Sequence, residues 1–149
     1  MKKKPIVSII IPYFKKKKFF KKTINSIVSQ SYRHFEIILV YDDSDLTELL
    51  FVKKLLKKIK NKKILINKVN LGPGNSRNKG ILVAKGNYIA FCDADDIWKK
   101  NKLSDQISYM RKNNLNFSHT SYSVIDKNSR NIGSFTIKEK LSYKNLIKS

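Results

Sequence analysis

The sequence predicts an α/β protein with a mostly parallel central sheet flanked by helices. Two observations predict it. Short runs rich in β-branched residues alternate along the chain with apolar stripes of helical period, and each run ends in turn-forming residues. The 149 residues are 41% hydrophobic and 11% aromatic, enough for a real core and too much for a disordered tail. With a single cysteine, Cys92, no internal disulfide exists, which excludes a disulfide-rich secreted scaffold.

The first strand is expected over Pro5 to Tyr13, where Ile6, Val7, Ile9, Ile10 and Ile11 suit a strand buried on both faces. Phe19 to Gln30 places Phe20, Ile24, Ile27 and Val28 on one helical stripe. Phe35 to Tyr41 is a second strand, and Asp42-Asp43-Ser44-Asp45 after it is a turn and helix N-cap. Leu46 to Lys60 is a helix with Leu49, Val52, Leu56 and Ile59 on one face, and Lys63 to Val69 a third strand.

Asn70 to Gly74 contains breakers and reads as a loop, Asn75 to Ala84 as a short helix, with Gly86 as its stop. Asn87 to Cys92 is a fourth strand that runs into Asp93-Ala94-Asp95-Asp96. Trp98 to Asn113 is a helix, Phe117 to Ile125 a fifth strand, Ile132 to Ile137 a sixth, and Ser142 to Lys148 starts a last helix. His119 and Cys92, both inside expected strands, read as packed residues; one cysteine and two histidines cannot build a zinc cluster.

The formal charge is +21, from 32 Lys and Arg against 11 Asp and Glu. That invites a nucleic-acid-binding module as one reading. Only four of the basic residues are arginine, Arg33, Arg77, Arg111 and Arg130, whereas nucleic-acid readers favour bidentate guanidinium forks. The wealth of Lys, Asn and Ile also fits compositional drift of an A/T-rich genome. The start, with Lys2 to Lys4 before an apolar run, imitates a signal peptide, but Pro12 and Lys15 to Lys18 follow instead of a cleavage site. No stretch approaches the ~20 apolar residues of a membrane helix, so a cytoplasmic protein is expected.

In an open α/β sheet, ligands bind outside the carboxyl ends of the strands. Five of the 11 acids, Asp42, Asp43, Asp93, Asp95 and Asp96, stand at two such ends. Carboxylates spaced as in Asp93-Ala94-Asp95 suit a hard divalent cation, Mg²⁺ or Mn²⁺, shared with substrate phosphates. So close together, these carboxylates repel unless something cationic joins them. The ordinary alternative is that such aspartates only cap turns. No glycine-rich dinucleotide or P-loop motif is present, and Arg77, expected at a helix start, is a candidate anion contact.

Taken in order, these segments resemble the family 2 glycosyltransferases of the GT-A fold. The likeness rests on Val7-Ser8-Ile9-Ile10-Ile11-Pro12 and on Thr23 through Tyr32. It continues through Phe35-Glu36-Ile37-Ile38-Leu39-Val40 before the acidic turn and Asn70-Leu71-Gly72 through Ser76-Arg77-Asn78-Lys79-Gly80. It ends on Gly86-Asn87-Tyr88-Ile89-Ala90-Phe91-Cys92-Asp93-Ala94-Asp95-Asp96.

The resemblance implies transfer of a sugar, with inversion, from a UDP- or GDP-type nucleotide-sugar donor to a glycan or lipid-linked acceptor, aided by Mn²⁺ or Mg²⁺. It implies that Pro12 and Phe14 line the nucleobase pocket and that Asp42 accepts a hydrogen bond from the base. It further implies that Arg77 approaches the donor, and that Asp93 and Asp95 hold the ribose and the metal. Phe14-Lys15 replaces the family's usual Tyr-Asn, and Tyr41 and Asp43 replace its usual Asp and Gly. The family's general base lies well past the metal motif, so residues 1–149 are expected to form one GT-A-like domain that is incomplete, the donor-binding half, with the base beyond Ser149. The basic exterior further suggests contact with the anionic inner face of a membrane.

Overall fold

A computed structural model describes residues 7–136. They form β1 (Val7–Tyr13), α1 (Lys17–Val28), β2 (Phe35–Tyr41), α2 (Leu46–Leu56), β3 (Lys62–Ile66), α3 (Gly72–Leu82), β4 (Tyr88–Phe91), α4 (Lys102–Lys112), β5 (Tyr122–Ile125) and β6 (Asn131–Phe135). The chain divides into two compact units, and the division falls inside α4 between Ile107 and Ser108.

The first unit is a four-stranded parallel sheet in the order β3-β2-β1-β4. The expected helix-flanked parallel sheet is therefore present. Its two central strands, β1 and β2, are buried almost throughout, which explains their nearly continuous apolar sequence; the exceptions, Ser8 and Glu36, are buried together, with Ser8 Oγ donating to Glu36 Oε1 at 2.7 Å. Alternate residues serve opposite faces. Ile9, Ile11, Tyr13, Ile37, Leu39 and Tyr41 pack with Phe20, Ile24 and Ile27 of α1, Val52 and Leu56 of α2, and Leu103 and Ile107 of α4. Ile10, Ile38 and Val40 face the other way, with Val83 and Ala84 packed against them. There α3 approaches so closely that a Cβ at Gly80 would lie 2.5 Å from Ile10 Cγ2. The second unit contains the antiparallel pair of β5 and β6.

Several expected boundaries move. The fifth strand starts at Tyr122 rather than Phe117 and joins β6 in its own two-stranded sheet, because the turn at 126–130 folds it back on its successor. His119 lies outside that strand, exposed, its ring stacked on Phe117. The third helix starts at Gly72: Gly72 adopts φ +78°, and Pro73 then opens the helix with a preset φ. Arg77 consequently sits in mid-helix, not at its start. The helix ends at Leu82, so Gly86 is not its stop. Gly86 instead passes over β1, where a Cβ would meet Ser8 N at 2.5 Å and Val7 C at 2.8 Å. The second helix stops at Leu56 and the fourth begins at Lys102 rather than Trp98. The expected strand start at Pro5 and Ile6 and the helix from Ser142 lie outside the described residues.

Candidate active site

Three loops leave the carboxyl ends of β1, β2 and β3 side by side and enclose a cleft of about 350 Å³. Phe14 and Lys15 line it from the first loop, Asp42, Asp43 and Ser44 from the second, and Asn67 to Asn70 from the third. Phe14 is 44% exposed, a large aromatic face held at the cleft with the Lys15 ammonium 5.1 Å from its ring centre. Asp43 ties the first two loops together. It accepts from Lys15 N at 3.2 Å and from Ser44 N at 2.8 Å, which steadies Lys15 at φ +50°. Pro12 is buried in β1 opposite Val40 and is not among the residues lining the cleft. Pairing of β1 with β4 ends at Ile10, so a proline two residues later forfeits no ladder bond on that side.

Asp42 is 3% exposed and fixed by its neighbours. Its Oδ1 accepts from Asn67 Nδ2 at 2.7 Å and from Leu71 N at 2.8 Å. Asn67 also donates to Ser76 Oγ and accepts from Lys79 Nζ at 2.9 Å, while Asn70 donates to the Asp42 carbonyl. The charge is thus held by neutral donors, with Lys79 one residue removed. Asn67, Asn70, Ser76 and Lys79 are not among the residues expected from the sequence; the available signal was the polarity of Asn67 and Asn70 just past an apolar strand, and for Ser76 and Lys79 in α3 there was none.

The second acidic group follows β4. Cys92 N donates to Ile10 O, and the chain then turns, with Asp96 N donating to Asp93 O. Helix α1 holds this turn from below. Thr23 Oγ1 donates to Ala94 O at 2.9 Å, and Ser26 Oγ accepts from Trp98 N at 3.0 Å. Fully buried Gln30 donates to Lys99 O at 2.8 Å and accepts from Leu103 N at 3.0 Å. These three side chains position the acids without touching them. They also explain why α4 starts late: residues 93–101 are clamped to α1 rather than coiled.

The crowded acids have cationic partners within the protein. Lys16 Nζ lies 2.6 Å from Asp95 Oδ2, and Arg77 Nη2 lies 2.6 Å from Asp93 Oδ1. Both pairs are partly exposed, so each is weak and displaceable. Burial, then the charges of Asp93 and Asp95, push the Asp96 carboxyl above its ordinary range. Burial likewise pushes the Cys92 thiol up, with the nearby aspartates adding to it, so Cys92 is a protonated core residue. Among the described residues no three His, Cys, Asp or Glu side chains converge as a metal cage. The donor set is two accessible carboxylates, which fits Mg²⁺ or Mn²⁺ only when substrate oxygens complete the shell.

Asp42, Phe14 and the Lys15-Lys16 pair, with Arg77, Asp93 and Asp95, therefore form one region in the first unit, with Lys16 as the link between cleft and acidic turn. Residues 8–148 match the family described as Glycosyl transferase family 2.

The chain belongs to glycosyltransferase family 2.

Among similar family members, an Escherichia coli UDP-Glc:alpha-D-GlcNAc-diphosphoundecaprenol beta-1,3-glucosyltransferase, WfgD, is 37% identical over 145 residues, which are 97% of this chain and 56% of that protein. A putative teichuronic acid biosynthesis glycosyltransferase of Bacillus subtilis, TuaG, is 32% identical over 98% of this chain and 58% of its own length. The chain thus spans little more than half of these relatives. The crystal structure of S. aureus TarS 1-349 in complex with UDP overlays with a TM-score of 0.66 at 27% identity, covering 83% of this chain and 43% of that one. The Pyrobaculum calidifontis mannosyltransferase PcManGT, in complex with GDP-Man and Mn²⁺, gives 0.67 at 16% identity over 83% and 36%, a likeness of fold alone. The parallel sheet of this family member is that of the GT-A fold.

Proposed function

We propose that this chain is the donor-binding part of a metal-dependent, inverting glycosyltransferase that takes a UDP- or GDP-type nucleotide sugar. The observation that carries the reading is the Lys16–Asp95 contact, which ties the loop bordering the cleft to the acidic turn: an aromatic face and a fixed carboxylate lie on one side, two partly exposed carboxylates on the other, and Lys15-Lys16 between them. This is the layout a nucleoside diphosphate needs.

In this reading Phe14 stacks on the base. The Asp42 carboxylate accepts a base N–H through Oδ2, which has no hydrogen-bond partner among the described residues. A buried, pre-oriented acceptor rejects bases that cannot donate to it. Lys15 at the cleft, with Lys16 and Arg77 at the acidic turn, supplies cations for the diphosphate. Asp93 and Asp95 would hold Mn²⁺ or Mg²⁺, which when bound offsets the charge that builds on the departing diphosphate. With Asp93 and Asp95 so engaged, Lys16 and Arg77 would be free to turn toward phosphate oxygens, which would keep the local charge balanced. The acceptor in this reading is a glycan or a lipid-linked sugar, as the name of WfgD states for that relative. Work on such an acceptor places the enzyme against the anionic inner face of a membrane. Among the described residues no helix is long and apolar enough to cross one, so the contact proposed is peripheral.

Calorimetric titration with UDP and GDP tests the site. Phe14→Ala should weaken the preferred nucleotide by about 1–3 kcal/mol, the usual loss for one base stacked on an aromatic ring. Equal binding by wild type and variant would remove Phe14 from the pocket.

A further inference from the structure

Helix α2 carries an outward stripe of which the donor site accounts for Leu46 alone. At 3.6 residues per turn, Leu46, Leu50, Lys53, Lys54 and Lys57 fall within about 100° of arc. Leu46 is 71% and Leu50 67% exposed, while Leu49, Val52 and Leu56 on the opposite side are buried. Two solvated leucines thus stand at one end of the stripe and three lysines at the other. The acids of this helix end are engaged elsewhere: Asp45 caps the helix through Thr47 N and Glu48 N, and Glu48 accepts from the Tyr13 hydroxyl at 2.6 Å.

We infer that this stripe docks the protein on an anionic lipid surface, with Leu50 entering the headgroup boundary and Lys53, Lys54 and Lys57 binding lipid phosphates. The inference rests on the proposal that the enzyme works at a membrane and names the surface that meets it. An apolar pair beside a lysine cluster is the pattern of an interfacial helix. A second copy of this chain is a poor occupant, since a two-fold contact would bury six lysines with no acid in the stripe to pair them. Nucleic acid accounts for the lysines but not for two exposed leucines, and the stripe has no aromatic ring on which a base could stack. Leu46 also lines the donor cleft, so docking along α2 brings the cleft rim toward the lipid, where a lipid-linked acceptor would lie.

Co-sedimentation of the 149-residue chain tests this, with vesicles of phosphatidylcholine alone and with 30% phosphatidylglycerol. Binding should require phosphatidylglycerol and weaken with salt. The triple variant Lys53→Gln, Lys54→Gln, Lys57→Gln should lose on the order of 100-fold, about fivefold per lysine. Leu50→Ser should lose about tenfold with no charge change. A control triple at Lys99, Lys100 and Lys127, all exposed and off α2, should stay within fivefold of wild type. Equal losses in both triples, an unaffected Leu50→Ser, or retention of single-stranded RNA without vesicle binding would each overturn the inference. The melting response to UDP and Mn²⁺, measured on the same variants, reports separately on the donor site.

Discussion

The Lys16 ammonium lies 2.6 Å from the Asp95 carboxylate, where one loop brings a cation to an acid 79 residues away in sequence. The contact joins the cleft to the acidic turn and occupies a carboxylate that the proposed metal would need. On that proposal lysine and metal compete. Lys16→Met should therefore tighten Mn²⁺ binding in the absence of nucleotide by up to about fivefold, the worth of an exposed ion pair. Electron paramagnetic resonance titration of free Mn²⁺ reads this directly. Unchanged or weaker Mn²⁺ binding would show that Lys16 does not occupy a metal ligand.

Gln30 should matter for a reason unrelated to any ligand. Its side chain meets Ser26 O, Lys99 O and Leu103 N in a fully buried position. Gln30→Ala leaves buried Leu103 N without its partner and takes one of two donors from Ser26 O and Lys99 O, and should cost about 1–3 kcal/mol in urea denaturation. Thr23→Val removes only the bond to Ala94 O. It should cost about 1 kcal/mol and weaken metal-dependent nucleotide binding more than metal-free binding. Equal weakening of both would mean that the acidic turn does not depend on α1.

Asn67→Ala breaks the lattice around Asp42 and leaves a buried carboxylate with one donor fewer. The expected loss is about 1–3 kcal/mol of stability, together with weaker nucleotide binding. Stability loss with unchanged nucleotide affinity would separate Asp42 from base recognition.

Alkaline stability tests the contacts between strand ends and α2. Burial is the first cause that raises both tyrosines: Tyr41 is pushed up to about 12, and Tyr13, which also donates to Glu48, is raised further. An unfolded tyrosine titrates near 10. Above that pH the folded state holds more protons than the unfolded one, so stability is full below pH 10 and falls as pH rises toward 12. Tyr41→Phe should flatten this fall in melting curves taken from pH 9 to 12. An identical slope would mean that Tyr41 ionises as freely in the fold as outside it.

Much of the fold could be read from β1 and β2, because a strand buried on both faces has no polar phase to confuse its pattern. The boundaries that moved are those where tertiary contacts override local pattern. Trp98 to Asn101 have helical neighbours, yet Ser26 and Gln30 clamp them to α1. Gly72-Pro73-Gly74 looks like a loop and begins a helix, since a positive φ followed by proline starts one cleanly. In the site, the acidic residues were legible from their rarity in a basic chain. Their partners were not: nothing in the spacing links Lys16 to Asp95 or Arg77 to Asp93, and only the fold brings them together.

A nucleoside diphosphate and a divalent metal are proposed to bind together across the cleft and the acidic turn. The melting temperature of this chain with UDP or GDP, with Mn²⁺, and with both, repeated for Asp95→Ala and after EDTA, reads this directly. Nucleotide and Mn²⁺ together should give a rise that exceeds the sum of the separate rises, and Asp95→Ala and EDTA should each abolish the excess. An excess that survives Asp95→Ala would contradict the metal site, and the absence of any rise with either nucleotide would contradict donor binding.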